Sequence, residues 1–600
     1  MKPAEKKPVD RNKKIQPQRG IQHLFWKYRL MLLVLVTFTV YIRVVTLQYI
    51  GIDDAKFIID NKAYNQDITN IFHSFERGVF QPADKTAYDY YRPLFLVDMI
   101  LEFHLFGETA WGYHLTNLLF HILSVILLYL FFKKIKLDDT TSLILSLLFA
   151  VHPSISQAVA WVPGRNDLML MVFLLGCMIF SIDFAISRKW YLFVLQMAFF
   201  LLAVFTKETA IVIPVLAFFI LFSVLKIPLK AIISMGISWI MGILFWFGME
   251  SFVKQSGNRL PVDEMIGSGL SRFPALLQYL GKAIFPVNLS VHPQINEISI
   301  VWGLIALTGI GILVVYSGSY RKPITMIGGA WFLLFLLPVL AVPKVFSDLV
   351  YEHRLYVPLV GILLVLSQTV LFTSVIKNSY RYIFFGIIIL VFGVMSFNRI
   401  GYFKNPLSYW SQAVAESPKN AYSMQMMGTW VKDDAEQEKI LRQAYAIDPT
   451  LKDINLNLGK VAYKKKSLDE AEKFLKSELA LPGEKDPENY YLLGQIAFEK
   501  KDYSHVKEYL ETGLKISGKG DADIYSQLAK VFFLENSLDS AVINLKKVVE
   551  LDPTSSSPHN NLIIIYMKLG KKELAVAEIQ KMKLLGLTVP PELIKLAGEK

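Results

Sequence analysis

Cysteine is nearly absent from this sequence. A single copy, Cys177, excludes a disulfide framework and a cysteine-rich zinc site. Charge is scarce too: 19% of residues are Asp, Glu, Lys or Arg, against 53% hydrophobic and 13% aromatic, and mean hydropathy is +0.38. That composition, with 41 Phe, excludes a mostly disordered chain. The apolar runs exclude a purely soluble enzyme. The scarcity is uneven. Residues 30–400 hold 47 charged side chains in 371 positions, whereas 401–600 hold 28 basic and 28 acidic ones in 200. The middle reads as lipid-embedded and the last third as soluble and neutral. The formal charge of +12 lies wholly in residues 1–400, with +7 of it in 1–29. A basic tail ahead of an apolar run reads as a cytoplasmic flank held by anionic lipid rather than a nucleic-acid arm. The run from Leu30 to Ile50 is long enough to span, and no small-residue cleavage site follows it, so a signal peptide is not expected.

The expected fold is all-α: a polytopic membrane bundle followed by a repeat solenoid. Candidate spans lie near 30–50, 113–132, 141–157, 167–186, 190–205, 209–225, 231–249, 299–317, 324–341, 355–376 and 381–397, eleven in all. The apolar stretches 93–106 and 274–287 are short and flanked by Pro, and read as interfacial or re-entrant helices. Orientation follows from the basic residues in the connections. With the tail inside, the inner loops carry Lys133, Lys134 and Lys136, Arg188 and Lys189, Lys226 and Lys230, Arg321 and Lys322, and Lys377 and Arg381. Eleven spans then place the C-terminal third outside the cytoplasm.

That third repeats with a period of 34 to 35. Leu458, Leu493, Leu528 and Leu562 are equivalent, as are Ala471, Val506, Ala541 and Ala575. Asp-Pro at 448–449, 486–487 and 552–553 punctuates the units, because Pro cannot continue a helix but can start one. The pattern resembles the tetratricopeptide repeat, with four clear units over about 454–587 and a degenerate one from about 418. Such arrays bind extended chains in a concave groove and seldom do chemistry, so a reaction is sought in the membrane half.

Charges at a membrane edge are costly and point to function. Asp53 and Asp54 follow the first span directly. Two adjacent carboxylates there suit a general base, or a metal site if other ligands converge; a solvated loop start is the plain alternative. Tyr91-Arg92-Pro93-Leu94 comes next. His114, Asn117 and His121 share one helical face, where a packed polar network is favoured over a metal site. His152-Pro153 and Trp161-Val162-Pro163-Gly164-Arg165-Asn166-Asp167 occupy an outer loop. Lys207-Glu208 sits alone in a tight outer turn, where a helix-capping pair is the alternative. Glu352-His353-Arg354-Leu355-Tyr356 marks an outer loop re-entering the membrane, where the alternative is an interfacial anchor. All these groups fall on the same expected face. A carboxylate opposite several cations at a lipid boundary is what transfer from a lipid phosphate requires: the base takes the proton of the attacking hydroxyl and the cations hold the departing phosphate.

Taken in order, these motifs and the repeats resemble the transmembrane and tetratricopeptide-repeat-containing protein O-mannosyltransferases and their bacterial relatives, membrane glycosyltransferases of the C-type fold. The resemblance implies a polyprenyl-phosphate-linked sugar as donor, usually mannose, a Ser or Thr hydroxyl of an exported protein as acceptor, and inversion at the anomeric carbon. It implies Asp53 or Asp54 as the catalytic carboxylate, and Arg92, Arg165, Lys207 and Arg354 as groups holding the lipid phosphate. His114, Asn117, His121, His152, Glu208, Glu352 and Tyr356 are supporting polar groups. The chain departs from the family pattern at Ser156-Gln157, where Thr-Glu is frequent, at Asn166, where Ala is usual, and at Thr209 and Leu359. The departures bear on the donor sugar and on any divalent metal, which stays open. The expected organisation is a basic tail over 1–29, a membrane glycosyltransferase over 30–400 and repeats over 401–600. The expected setting is a bacterial inner membrane, or an endoplasmic reticulum membrane, with the repeats on the periplasmic or lumenal side and an exported protein as partner. Two other functions compete. One is an O-antigen-type oligosaccharide ligase relying on Arg259, Arg272 and His292 in the late outer loop. The other is a membrane-anchored repeat scaffold recruiting envelope proteins, which would have no need of Asp53-Asp54.

Overall fold

The computed structural model describes residues 18–80, 90–253, 262–294, 299–318, 320–340, 350–372, 378–483, 485–517 and 520–598. The basic tail before residue 18, Arg259 and Lys377 lie outside the described residues. The described residues form helices joined by turns, without strands. They divide into two compact units, Met1–Ser417 and Pro418–Lys600.

Among the described residues of the first unit, five helices are long and apolar enough to cross a membrane: Tyr28–Thr46, Ala110–Lys134, Val162–Ser187, Leu229–Val253 and Tyr380–Phe403. A sixth crossing arises if Asp139–Ala150 and Pro153–Ala160, bent by 50°, count as one. The break falls at His152-Pro153, where Pro disfavours helix in the residue before it. The other expected spans fold as shorter apolar helices, Trp190–Thr206, Glu208–Val224, Val301–Val315 and Lys322–Pro338, and as Leu359–Leu366. The two Pro-flanked stretches become the short helices Pro93–Phe106 and Pro274–Ile284, each with Pro in its first turn, where its missing N–H costs nothing.

Burial separates the helices by place. In Val162–Ser187, 72% of the apolar window is buried, against 28% in Leu229–Val253 and 28% in Tyr380–Phe403. The first is therefore the central helix. The other two present Ile237, Ile240, Met241 and Leu244, and Ile387, Leu390 and Val394, outward, as suits contact with lipid tails. Where two helices meet closely, glycine makes room. A Cβ on Gly361 would stand 2.4 Å from the carbonyl oxygen of Gly328, and one on Gly303 would stand 2.0 Å from that of Leu277.

The second unit is five helical hairpins and a closing helix. The hairpins pair Ala421–Trp430 with Asp434–Ile447, Ile454–Lys464 with Leu468–Ala480, Pro487–Glu499 with Tyr503–Ser517, Ala522–Leu534 with Leu538–Leu551, and Ser556–Lys568 with Lys572–Leu584. Pro591–Ala597 follows. The repeat positions Leu458, Leu493, Leu528 and Leu562 are all buried, and Ala471, Val506, Ala541 and Ala575 are fully so. The small residue of the second helix is thus where the hairpin closes. The helix Pro406–Glu416, which precedes this unit, belongs to the first. Its Tyr409 and Trp410 are buried, and the Trp410 ring lies 5.1 Å from that of His292.

Candidate functional site

The turn 161–167 is the hub of the site. Asn117, fully buried on the helix Ala110–Lys134, donates through Nδ2 to the carbonyls of Val159 (3.1 Å) and Trp161 (3.0 Å) and accepts from Arg165 Nε at 2.7 Å. Gly164 is required for the tight path, since a Cβ there would meet the Ala158 carbonyl oxygen at 2.5 Å. Three parts of the site adjoin this turn.

The first part is the carboxylate pair. The helical turn Asp53–Ala55 packs against Val162–Gly164. The two acids differ sharply. Asp54 is 1% exposed, and its oxygens accept from four backbone N–H groups, those of Ile50 (2.7 Å), Gly51 (3.0 Å), Ile52 (3.1 Å) and Ala55 (3.1 Å). It ties the chain into the turn. Burial pushes its carboxyl up, and those four N–H groups pull the other way. Asp53 is half-buried and, among the described residues, accepts no hydrogen bond. Burial pushes its carboxyl up to about 6; Lys56 opposes this and Asp54 adds to it.

The second part is a group of cations. Lys207 Nζ donates to Asp167 Oδ1 at 2.6 Å. Arg92 grips Glu208 with two bonds, Nε to Oε2 at 2.9 Å and Nη2 to Oε1 at 2.7 Å, and lies over the Tyr90 ring. Burial raises the Glu208 carboxyl, but Arg92 and Lys207 outweigh it and bring it down to about 2. The His353 ring lies 5.2 Å from that of Trp161 and 5.1 Å from that of Tyr351. Burial, then the charges of Arg354, Lys207 and Arg92, push its pKa well below the ordinary imidazole value. Three of the four cations expected to hold phosphate thus act electrostatically on one buried imidazole. His353 itself stood in the motif but was not singled out.

The third part departs from expectation. Arg165 has 0% exposure, and its guanidinium pairs with Asp98 (2.6 Å) and Glu102 and donates to the Tyr113 carbonyl. A buried cation needs its donors filled, and these partners fill all but one of its five N–H groups. Asp98 and Glu102 lie on the short helix Pro93–Phe106, four residues apart and on one face. Two acids at that spacing in an otherwise apolar helix were the available signal.

The remaining residues form two tie points. His121 Nε2–H donates to the Ala150 carbonyl (3.0 Å), so its Nδ1 accepts from the Tyr356 hydroxyl (2.8 Å). His114 is buried on the same helix. Glu352, fully buried, accepts from Lys282 Nζ (2.6 Å), Ser290 N–H (2.7 Å) and Arg399 Nη2 (2.5 Å). It is a buried joint rather than an interfacial anchor. Nearby, Nε2–H of His152 donates to the Ala283 carbonyl at 3.1 Å. Arg272 and His292, from the late loop, are buried. Among the described residues no three His, Cys, Asp or Glu side chains converge as a metal site.

Residues 93–249 match the family described as dolichyl-phosphate-mannose-protein mannosyltransferase, and 487–519 and 522–555 match the tetratricopeptide repeat. The chain is 35% identical over 127 residues to the human protein O-mannosyl-transferase TMTC3, covering 21% of this chain and 14% of that one. It is 32% identical over 128 residues to the Drosophila melanogaster protein O-mannosyl-transferase Tmtc1, covering 21% and 15%. It is 22% identical over 419 residues to the Caenorhabditis elegans protein O-mannosyl-transferase F38B6.6, covering 66% and 60%. The chain therefore spans under two thirds of the length of these relatives. Among solved structures, the tetratricopeptide-repeat protein YrrB is 18% identical with a TM-score of 0.26, covering 32% of this chain and 93% of that one. The chain thus resembles that mannosyltransferase family over residues 93–249 and the tetratricopeptide repeat over 487–519 and 522–555.

Proposed function

We propose that this chain is a membrane glycosyltransferase that moves a sugar, mannose by the family's name, from a polyprenyl-phosphate carrier to a Ser or Thr hydroxyl of an exported protein. The observation that carries the reading is the inequality of the two acids. Asp54 is spent on four backbone N–H groups, and Asp53 accepts no hydrogen bond among the described residues and has its carboxyl raised to about 6. A base near that value is ionised at neutral pH and still accepts a proton readily.

In the proposed step the acceptor oxygen attacks the anomeric carbon, and the bond from that carbon to the phosphate oxygen breaks on the opposite face. Asp53 takes the hydroxyl proton. The polyprenyl phosphate leaves with one more negative charge, which Arg92, Lys207 and Arg354 are placed to stabilise. Asp167 and Glu208 hold Lys207 and Arg92 in position through the pairs described. Arg165 is assigned a positioning role, fixing the 161–167 turn to the helix that carries Asp98 and Glu102. The repeats are proposed to capture the acceptor. Eleven crossings with the basic tail inside would put them on the periplasmic or lumenal face.

The test is transfer of label from radiolabelled polyprenyl-phosphate-mannose in membranes. Asp53→Asn is expected to abolish transfer with the protein still inserted at its normal level. Asp54→Asn is expected to lower both activity and accumulation. Transfer by Asp53→Asn at the wild-type rate would reject the assignment. No transfer by the wild type, followed by transfer from polyprenyl-phosphate-glucose, would change the sugar and keep the reaction class.

A further inference from the structure

The end of the bundle away from Asp53 carries a polar cavity that the proposed reaction does not use. It is about 290 Å³ in volume and lies where the turn 136–138, the residues before helix Lys322–Leu340 and the end of helix Leu359–Leu366 meet. Lys136, Arg321, Ser367, Gln368, Thr141 and Asp138 line it.

Apolar helix ends would be expected to close on one another here. Instead, polar groups are withdrawn from solvent to line a hole. Ser367 and Gln368 are buried. Gln368 is fixed on both sides, its Oε1 accepting from the Arg321 backbone N–H (3.0 Å) and its Nε2 donating to Ser367 Oγ (2.7 Å). Thr141 is 2% exposed, and among the described residues its Oγ1 has no hydrogen-bond partner. Such a hydroxyl ordinarily finds a partner.

The cations of this end differ in kind. Arg29 and Lys133 both pair with Asp139, and Lys134 pairs with Asp183. Among the described residues Lys136 and Arg321, the two that line the cavity, have no ion pair. Lys136 holds its backbone at φ +64°, a conformation costly for a non-glycine residue. Asp138 opposes them, but its Oδ1 is occupied by the Thr141 N–H at 3.0 Å. Two cations thus face one partly engaged carboxylate, beside an unpartnered hydroxyl, at the rim of a lipid-embedded bundle.

We propose that this cavity binds the phosphate group of an anionic phospholipid from the leaflet at that end, with Lys136 and Arg321 as charge-assisted donors. A phosphate in such a pocket makes two or three bonds that a freely hydrated headgroup at a flat surface does not. The same chemistry would suit a soluble phosphate, so the source has to be tested.

The full-length protein in neutral detergent is titrated with short-chain phosphatidylglycerol or phosphatidylcholine and bound lipid is counted by native mass spectrometry. Wild type is expected to prefer phosphatidylglycerol. The K136Q/R321Q double variant is expected to bind it about tenfold more weakly, with its thermal midpoint unchanged because both side chains are exposed. Lys322→Gln, a neighbouring cation outside the cavity, is expected to change nothing. Equal binding by the double variant, or an equal loss from Lys322→Gln, would overturn the site in favour of general surface charge. Displacement of the lipid by inorganic phosphate at a matching concentration would overturn the lipid assignment.

Discussion

Asp53 carries a pH signature of its own. Its carboxyl sits near 6 in the folded protein, above the ordinary carboxylate range. Transfer is expected to fall about tenfold per pH unit below about 6, measured as initial rates in membranes across that range. Glu208, held at about 2 by Arg92, does not titrate there, whereas burial raises the Glu102 carboxyl into that range, so an acidic limb that persists in Glu102→Gln reports Asp53. Stability runs the opposite way. A carboxyl raised on folding favours the protonated protein, so its contribution is present below the ordinary carboxylate range and is lost as pH rises through 6. Arg165 supplies the second expectation at this scale. Arg165→Gln leaves Asp98 and Glu102 facing each other without a cation, at a cost of about 3–5 kcal/mol. Pairing it with Glu102→Gln should recover part of that loss, read from thermal unfolding of the purified protein by intrinsic fluorescence. The motif Trp161 to Asp167 was legible in the sequence as a cluster of polar residues at a membrane edge. That Arg165 turns inward was not, because its partners come from 63 and 67 residues earlier.

At the scale of the element, the repeat turns offer the cleanest experiment. Lys466, Lys501 and Asn536 occupy equivalent left-handed positions at φ +62°, +61° and +59°, and Gly570 takes the fourth at φ +72°. A lysine pays there for its Cβ, whereas glycine and, in part, asparagine do not. Lys501→Gly is expected to stabilise its hairpin by about 0.5 kcal/mol or more. The gain should appear as slower amide exchange in Pro487–Glu499 and Tyr503–Ser517 of the full chain, and Asn536→Gly should gain less. These hairpins were readable from sequence because their period brings equal residues to equal places: the four leucines and the four small residues are buried where the spacing puts them. The membrane helices were readable as apolar runs but not as lengths. Several of them break or stop short because glycine contacts, proline and buried polar groups shape them, and hydropathy does not record those.

For the whole molecule, two compact units divide the work, one holding the acid and the cations and the other a neutral array of hairpins. If the repeats hold the acceptor, their covalent continuity with the first unit raises its local concentration. Deleting 418–600 is then expected to raise the apparent KM for a natural acceptor on the order of 10²-fold and leave the KM for the lipid-linked donor unchanged, read from initial rates with each substrate varied in turn. The order of motifs carried this division in the sequence. The choice between the paired acids rests on the backbone path around Asp54, which no residue pattern displays.

The triad of Arg165 with Asp98 and Glu102 has a consequence in time. The ribosome delivers the two acids first and the arginine 63 to 67 residues later. In that interval the helix Pro93–Phe106 holds two unmatched charges that hydrocarbon rejects, so it has to wait in the aqueous boundary while the following segments are threaded. Emergence of Arg165 ends the wait and draws the helix into place. Insertion of this protein is therefore expected to follow a fixed order, with the two carboxylates acting as a latch that the segment carrying Arg165 closes.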